Sequence, residues 1–156
     1  MGVMIKLKPL IVSLLISLGV GGLSALLTKG SMEKYQSLNQ PPLSPPGWVL
    51  PVVWTVLFAM MGIAAYLVWM QDGPGRSGAL ALYGAQLFFN FFWTLIFFNL
   101  GNYALAFFWL VALWVLILLC TLSFFKEDTR AGWMMVPYLV WVAFAGYLNA
   151  GIWLLN

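Results

Sequence analysis

The side chains best suited to bind a ligand in this sequence are indoles, phenols and amides in its last apolar run. One set comprises Tyr138, Trp141, Ala145 and Asn149. Their intervals of three, four and four residues place them on one face of a helix. Indole faces suit large flat molecules, and an amide within an apolar helix needs a partner or a ligand. The pattern therefore predicts recognition of a mostly apolar, planar ligand.

A second set of the same kind lies upstream, at Gln86, Asn90 and Trp93. Spacings of four and three residues put these side chains on one helix face as well. Asparagine and glutamine also commonly join membrane helices through hydrogen bonds, so each amide has two interpretations, ligand contact or helix packing. Tryptophans near the ends of apolar runs are typical of the membrane interface, whereas Trp54 and Trp141 lie a turn or more further in.

Composition excludes several other kinds of chemistry. Hydrophobic residues make up 63% of the 156 and charged residues 7%, with a mean hydropathy of +0.97, whereas a soluble domain is roughly one-quarter charged. Histidine is absent, Cys120 is the single cysteine, and no acidic residue falls within an apolar run. We therefore predict no metal site, no cofactor, no acid–base catalysis and no proton-coupled transport. The net charge of +3 is too small for a nucleic-acid partner.

Five apolar runs fill nearly all of the chain. They span residues 9–27, 48–70, 79–98, 103–125 and 131–155. Each is close to the length of about 20 residues that crosses a bilayer. The predicted fold class is therefore all-α integral membrane, a five-transmembrane-helix bundle in the lipid bilayer that forms a single domain over residues 1–156.

The first run and the connections carry signals for targeting and orientation. The first run would also fit a signal peptide, but its length and the small residues Ser17, Gly21 and Ala25 at four-residue spacing favour a retained helix. The basic residues divide unequally between the two faces: one has Lys6, Lys8, Arg76, Lys126 and Arg130, and the other has Lys29 and Lys34. The positive-inside rule then predicts a cytoplasmic amino terminus, with the first loop on the opposite side.

A proline-rich block connects the first two runs. The sequence from Gln40 to Leu57 holds five of the eight prolines. Proline fixes φ and disfavours helix in the residue before it, so residues 39–47 should be extended or turning. Pro51 is tolerated because it falls in the first turn of the next helix. We expect a stiff lid that leads directly into the second span, with Trp54 one turn further down.

This block resembles the first loop and second helix of the translocator protein family, which includes TspO and the tryptophan-rich sensory proteins and was once called the peripheral benzodiazepine receptors. The matching residues are Pro41, Pro45, Pro46, Pro51, Trp54 and Leu57. Leu43 stands where the family usually has tryptophan. The segment from Pro137 to Asn149 matches the family's fifth helix throughout, and the third run is similar to its amide-containing third helix. The resemblance covers essentially the whole chain.

The resemblance implies a homodimer in a bacterial cell membrane, with a ligand pocket among the helices beneath the first loop. It implies that protoporphyrin IX or a related tetrapyrrole is a ligand rather than a cofactor, and that synthetic benzodiazepine-receptor-type ligands are further partners. By motif, Tyr35, Trp54, Asn90, Trp141 and Ala145 would line the pocket. The complete predicted ligand-binding set is Tyr35, Pro41, Trp54, Gln86, Asn90, Trp93, Tyr138, Trp141, Ala145 and Asn149.

Three functions remain open at this point. The leading hypothesis is a membrane sensory or regulatory protein that binds a tetrapyrrole. The second is light-dependent porphyrin breakdown, implied by some bacterial family members, in which Trp54 and Trp141 would be the photochemical catalytic residues. The third is a tetrapyrrole or lipid carrier. The sequence does not decide whether the protein is an enzyme.

Overall fold

The computed structural model describes residues 5–156, and within that range the chain forms helices joined by short connections. The helices are α1 (Leu7–Thr28), α2 (Met32–Ser37), α3 (Val49–Trp69), α4 (Arg76–Thr94), α5 (Tyr103–Glu127) and α6 (Thr129–Leu155). Five of the described helical segments are long and apolar enough to cross a membrane, and α2 is a short extension of the first of them. The predicted all-α, five-helix membrane fold is confirmed.

Two connections differ in detail from their predicted form. The connection between the first two predicted runs, residues 28–47, is helical over Met32–Ser37, because helix-compatible residues precede the prolines there. The end of α4 continues through one wider, π-helical turn over Leu95–Asn99, in which Leu100 N donates to Leu95 O at 3.0 Å. The chain then reverses at Gly101, whose φ of +62° favours glycine, before α5 begins.

Small residues allow α1 to approach α3 closely along their shared face. Ser13 Oγ donates to Gly62 O at 2.6 Å. A Cβ on Gly62 would lie 2.6 Å from Ser17 Oγ, and a Cβ on Gly21 would lie 2.6 Å from the Phe58 ring. These distances leave no room for a larger residue at either glycine. The predicted small-residue stripe on α1 therefore does pack against a helix at Ser17 and Gly21.

Charged side chains gather at the end of the bundle where α5 turns into α6. Asp128 joins these helices, caps α6 by accepting from Arg130 N at 2.9 Å, and accepts from Gln71 Nε2 at 3.1 Å. Hydrogen bonding from the Arg130 guanidinium lowers the pKa of the Asp128 carboxyl below its ordinary value. Arg76 lies 4.9 Å over the Trp69 ring at the same end. The arrangement suits a membrane surface; which surface it faces stays a prediction.

Candidate ligand-binding site

A cavity of about 430 Å³ lies between α1, α3 and α4, on the side of the bundle that carries the first loop. Trp54 projects from α3, and Asn90 and Trp93 project from α4. Met32 and Gly47 contribute from the loop side. The remaining lining residues are Leu18, Gly21, Gly22, Ser24, Ala25, Thr28, Leu50, Pro51, Thr55, Phe58, Thr94 and Phe98. None of these residues carries a charge, so the cavity is built for an apolar molecule.

The hydroxyl groups around the cavity are already hydrogen-bonded within their own helices. Ser24 Oγ donates to Val20 O at 2.8 Å and Thr28 Oγ1 donates to Ser24 O at 2.8 Å. Thr94 Oγ1 donates to Asn90 O at 3.0 Å in the same way. A hydroxyl has a single proton to give, so these groups can offer a ligand only acceptor lone pairs. The wall therefore behaves as a largely apolar surface.

Trp54 is the centre of an aromatic cluster that begins at the cavity wall. Its ring centroid lies 6.3 Å from that of Trp93, 6.3 Å from that of Tyr138 and 6.4 Å from that of Trp141. The last two rings meet it edge to face, a favourable arrangement for aromatic pairs. Trp141 is half-buried, and its Nε1 is buried without a hydrogen-bond partner among residues 5–156. Trp141 thus packs against Trp54 on the side away from the cavity and does not itself line the cavity.

Asn90, Tyr138 and Gln86 form one buried hydrogen-bonded chain between α4 and α6. Asn90 Nδ2 donates to Tyr138 Oη at 2.8 Å, and Tyr138 Oη donates to Gln86 Oε1 at 2.6 Å. Gln86 Nε2 lies 3.7 Å from Met61 Sδ on α3. Tyr138 and Gln86 are fully buried and do not line the cavity. In this hydrogen-bonded chain the amides of Asn90 and Gln86 join helices. Of Asn90, Tyr138 and Gln86, only Asn90 also lines the cavity.

Asn149 has a comparable role nearer the loop. Trp93 Nε1 donates to Asn149 Oδ1 at 3.0 Å, and Asn149 Nδ2 donates to Tyr103 O at 2.9 Å. Asn149 therefore hydrogen-bonds to α4 and α5 and lies outside the cavity lining. Its bond fixes the orientation of the Trp93 indole, which does line the cavity.

The remaining predicted residues, Tyr35, Pro41 and Ala145, are packed inside the bundle or between the loop and a helix. Tyr35 is buried and packs edge to face on Phe98 at 5.2 Å between ring centroids. Pro41 packs directly against Gly151 of α6. Ala145 is buried on α6. None of Tyr35, Pro41 and Ala145 lines the cavity, so their contact with a ligand stays a prediction.

Sequence reasoning placed Trp54, Asn90 and Trp93 among the ligand-binding residues, and the structure brings these three together on the cavity wall. It missed the contribution of α1. Gly22 and Ala25 line the cavity, and a Cβ on Gly22 would meet nothing within 4 Å. The small residues of α1 were the available signal, but they were interpreted only as a packing surface.

Comparison with known proteins agrees with this architecture over nearly the whole chain. The profile of the TspO/MBR family matches residues 12–154. The chain is 42% identical over 117 residues to the tryptophan-rich sensory protein of Cereibacter sphaeroides, covering 75% of this chain and 73% of the relative. It is 32% identical over 148 residues to the tryptophan-rich protein TspO of Archaeoglobus fulgidus, covering 94% and 96%. It is also 34% identical over 145 residues to the translocator protein of Bos taurus, covering 90% and 85%.

Proposed function

This chain belongs to the TspO/MBR family, and from that premise we propose that it is a membrane sensory or regulatory protein that binds a planar tetrapyrrole of the protoporphyrin IX type. The observation that carries the proposal is the cavity between α1, α3 and α4. Its volume of about 430 Å³ falls in the range of roughly 300–1,000 Å³ usual for small-molecule sites. Trp54 and Trp93 supply indoles for stacking, and Asn90 supplies an amide. The name of the Cereibacter sphaeroides relative, a tryptophan-rich sensory protein, supports a sensory role.

The acidic groups of such a ligand would remain outside the cavity. A carboxylate buried without a partner is costly, and the lining residues offer no positive charge. Lys29 directly follows Thr28 of the cavity wall, and Lys34 lies on α2 just beyond Met32. Both lysines are exposed. The ligand would therefore place its ring between the helices and its carboxylates toward the first loop.

A tryptophan-fluorescence titration of the detergent-solubilised protein with protoporphyrin IX tests this function. Saturable quenching is expected, and Trp54→Phe and Trp93→Phe should each weaken the affinity by several-fold, because each removes part of the stacking surface, worth about 1 kcal/mol. Trp69→Phe is the matched control, because Trp69 is half exposed and lies outside the cavity. Quenching that does not saturate, or equal affinity in all variants, would rule the site out.

Light-dependent porphyrin breakdown is a second candidate function, favoured by the position of Trp54 between the cavity and Trp141. An indole is readily oxidised, so a bound photoexcited porphyrin could take an electron from Trp54. Trp54→Phe and Trp141→Phe should lower the rate of absorbance loss under illumination far more than they lower binding. Several turnovers per protein would identify an enzyme, whereas a single turnover would make the chemistry a consequence of binding.

The oligomeric state, the membrane location and the synthetic ligands that we propose are based on the family resemblance. We expect a homodimer in a bacterial cell membrane that also binds synthetic benzodiazepine-receptor-type ligands. Because the proposed cavity is a single small-molecule site, such a ligand should compete with protoporphyrin IX in the same titration. Independent binding of the two would place them in different sites. Transport of the tetrapyrrole or of a lipid can be measured separately as flux in proteoliposomes.

A further inference from the structure

A continuous series of aromatic rings connects the cavity wall with the surface at the loop end of α6. Trp54 lies 6.4 Å from Trp141, Trp141 lies 5.5 Å from Phe144, and Phe144 lies 6.1 Å from Tyr147, measured between ring centroids. Trp54 lines the cavity, and Tyr147 is 43% exposed. The series therefore begins where a ligand would bind and ends at a phenol whose hydroxyl bonds to Pro42 O of the first loop.

We propose that this series is an electron relay in which Tyr147, acting through Trp141, restores an electron that a photoexcited ligand removes from Trp54. The inference rests on the proposed ligand site. The excited tetrapyrrole oxidises Trp54 to an indole radical cation and becomes a radical anion, which passes its electron to dioxygen to give superoxide. Trp141 reduces Trp54, and Tyr147 reduces Trp141 across the Phe144 ring while releasing its phenol proton to interfacial water. A water-soluble one-electron donor of the ascorbate class then returns Tyr147 to the phenol.

The environment of Tyr147 favours it as the terminal donor. Its hydroxyl donates to Pro42 O at 2.6 Å, and a hydrogen bond to an electron-rich carbonyl makes a phenol easier to oxidise. The accepting residue, Pro42, is an exposed residue of the first loop, so the proton can leave at the loop end of the bundle. The same hydrogen bond attaches the proline-rich loop to α6, which holds the donor in place.

Two other tyrosines near the cluster are less suitable. Tyr138 lies 6.3 Å from Trp54, but it is fully buried and its hydroxyl donates to Gln86 Oε1 inside the bundle, so its proton has no route to the membrane surface. Tyr103 is reached through Phe97 and lies close to Lys34: a Cβ on Gly101 would be 3.9 Å from Tyr103 Oη and 3.3 Å from Lys34 Nζ. A neighbouring ammonium opposes loss of an electron. The geometry thus selects Tyr147.

Low-temperature electron paramagnetic resonance of the illuminated complex with protoporphyrin IX tests the relay, with oxygen present and ascorbate absent. The wild type should give a neutral tyrosyl signal. Tyr147→Phe should lose that signal and show a tryptophan radical instead, at a protoporphyrin IX concentration that saturates the variant in the quenching titration. Tyr103→Phe is the matched control and should retain the tyrosyl signal. Trp141→Phe should also lose the tyrosyl signal, because the relay is broken in its middle.

The outcomes separate the relay from the ligand site. A tyrosyl signal that persists in Tyr147→Phe, or that disappears in Tyr103→Phe, would overturn the assignment of the terminal donor. A bound ligand that yields no protein radical under illumination would overturn the relay alone. Absence of saturable binding would contradict the proposed function, and the relay with it.

Discussion

Trp93 on α4 and Asn149 on α6, which lie 56 residues apart in the sequence, are joined by a hydrogen bond of 3.0 Å from the indole Nε1 to the amide Oδ1. Both side chains are buried. The same amide donates to Tyr103 O on α5. One asparagine therefore fixes the orientation of a cavity-lining indole and connects three helices. At this pair the amide joins helices, and it acts on the cavity only through the Trp93 indole.

Replacing Asn149 by leucine should destabilise the protein and loosen the cavity wall. The change leaves Trp93 Nε1 without a partner at a buried position and removes the hydrogen bond to Tyr103 O on α5. Polar contacts between membrane helices are worth about 0.6–2 kcal/mol, so we expect a loss of about 1 kcal/mol. The midpoint of thermal unfolding in detergent measures it. Asn102→Ala, which removes a helix cap outside the cavity, should lower stability comparably without altering ligand affinity; an unaffected affinity in Asn149→Leu would contradict the positioning role.

Replacing Gly62 by alanine should separate α1 from α3. The added methyl group would lie 2.6 Å from Ser17 Oγ and 3.1 Å from the backbone of Leu14, and backbone cannot easily move aside. Forcing extra volume into a packed interior costs about 1–3 kcal/mol. Thermal unfolding should show this loss, whereas Gly78→Ala should not, because a Cβ on Gly78 meets nothing within 4 Å. Equal stability of the two variants would mean that α1 is not held at Gly62.

The orientation of the bundle can be tested with single introduced cysteines. Cys120 is buried and should not react. Leu43→Cys places a thiol in the first loop at a position that is 83% exposed, and Ser77→Cys places one at the opposite end. Because basic residues are concentrated at the Ser77 end, an impermeant maleimide should label Leu43→Cys and not Ser77→Cys in intact cells. The reverse labelling pattern would overturn the cytoplasmic amino terminus.

The preference between metal-free and iron porphyrin tests how the cavity holds its ligand. Protoporphyrin IX should bind at least as tightly as haem, since the sequence lacks histidine and Cys120 lies on α5 outside the cavity lining. The structure does place one thioether, Met32, on the wall. A much tighter haem complex whose advantage disappears in Met32→Leu would show axial ligation and contradict binding by stacking alone. Titration of both porphyrins against both proteins measures this.

Much of the fold was predictable because it follows from local properties. Apolar runs long enough to cross a bilayer give the five helices, and the spacing of Gln86 and Asn90 gives their shared face. The partners were not predictable: Tyr138 lies 52 residues from Gln86, and nothing in one helix shows which neighbour will face it. The cavity likewise depends on which side chains of other helices lie beside the glycines of α1. The Phe58 ring fills the space beside Gly21, whereas the space beside Gly22 stays empty.

Filling the cavity from α1 tests the proposed site most directly. Gly22→Phe and Gly19→Phe introduce the same side chain on the same helix, and a Cβ at either position meets nothing within 4 Å, but only Gly22 lines the cavity. The ring at Gly22 should occupy the space of the ligand while both variants fold as the wild type does, judged by their unfolding midpoints. In the fluorescence titration, Gly22→Phe should lose saturable protoporphyrin IX binding and Gly19→Phe should retain it. Wild-type affinity in Gly22→Phe would show that the tetrapyrrole does not bind between α1, α3 and α4.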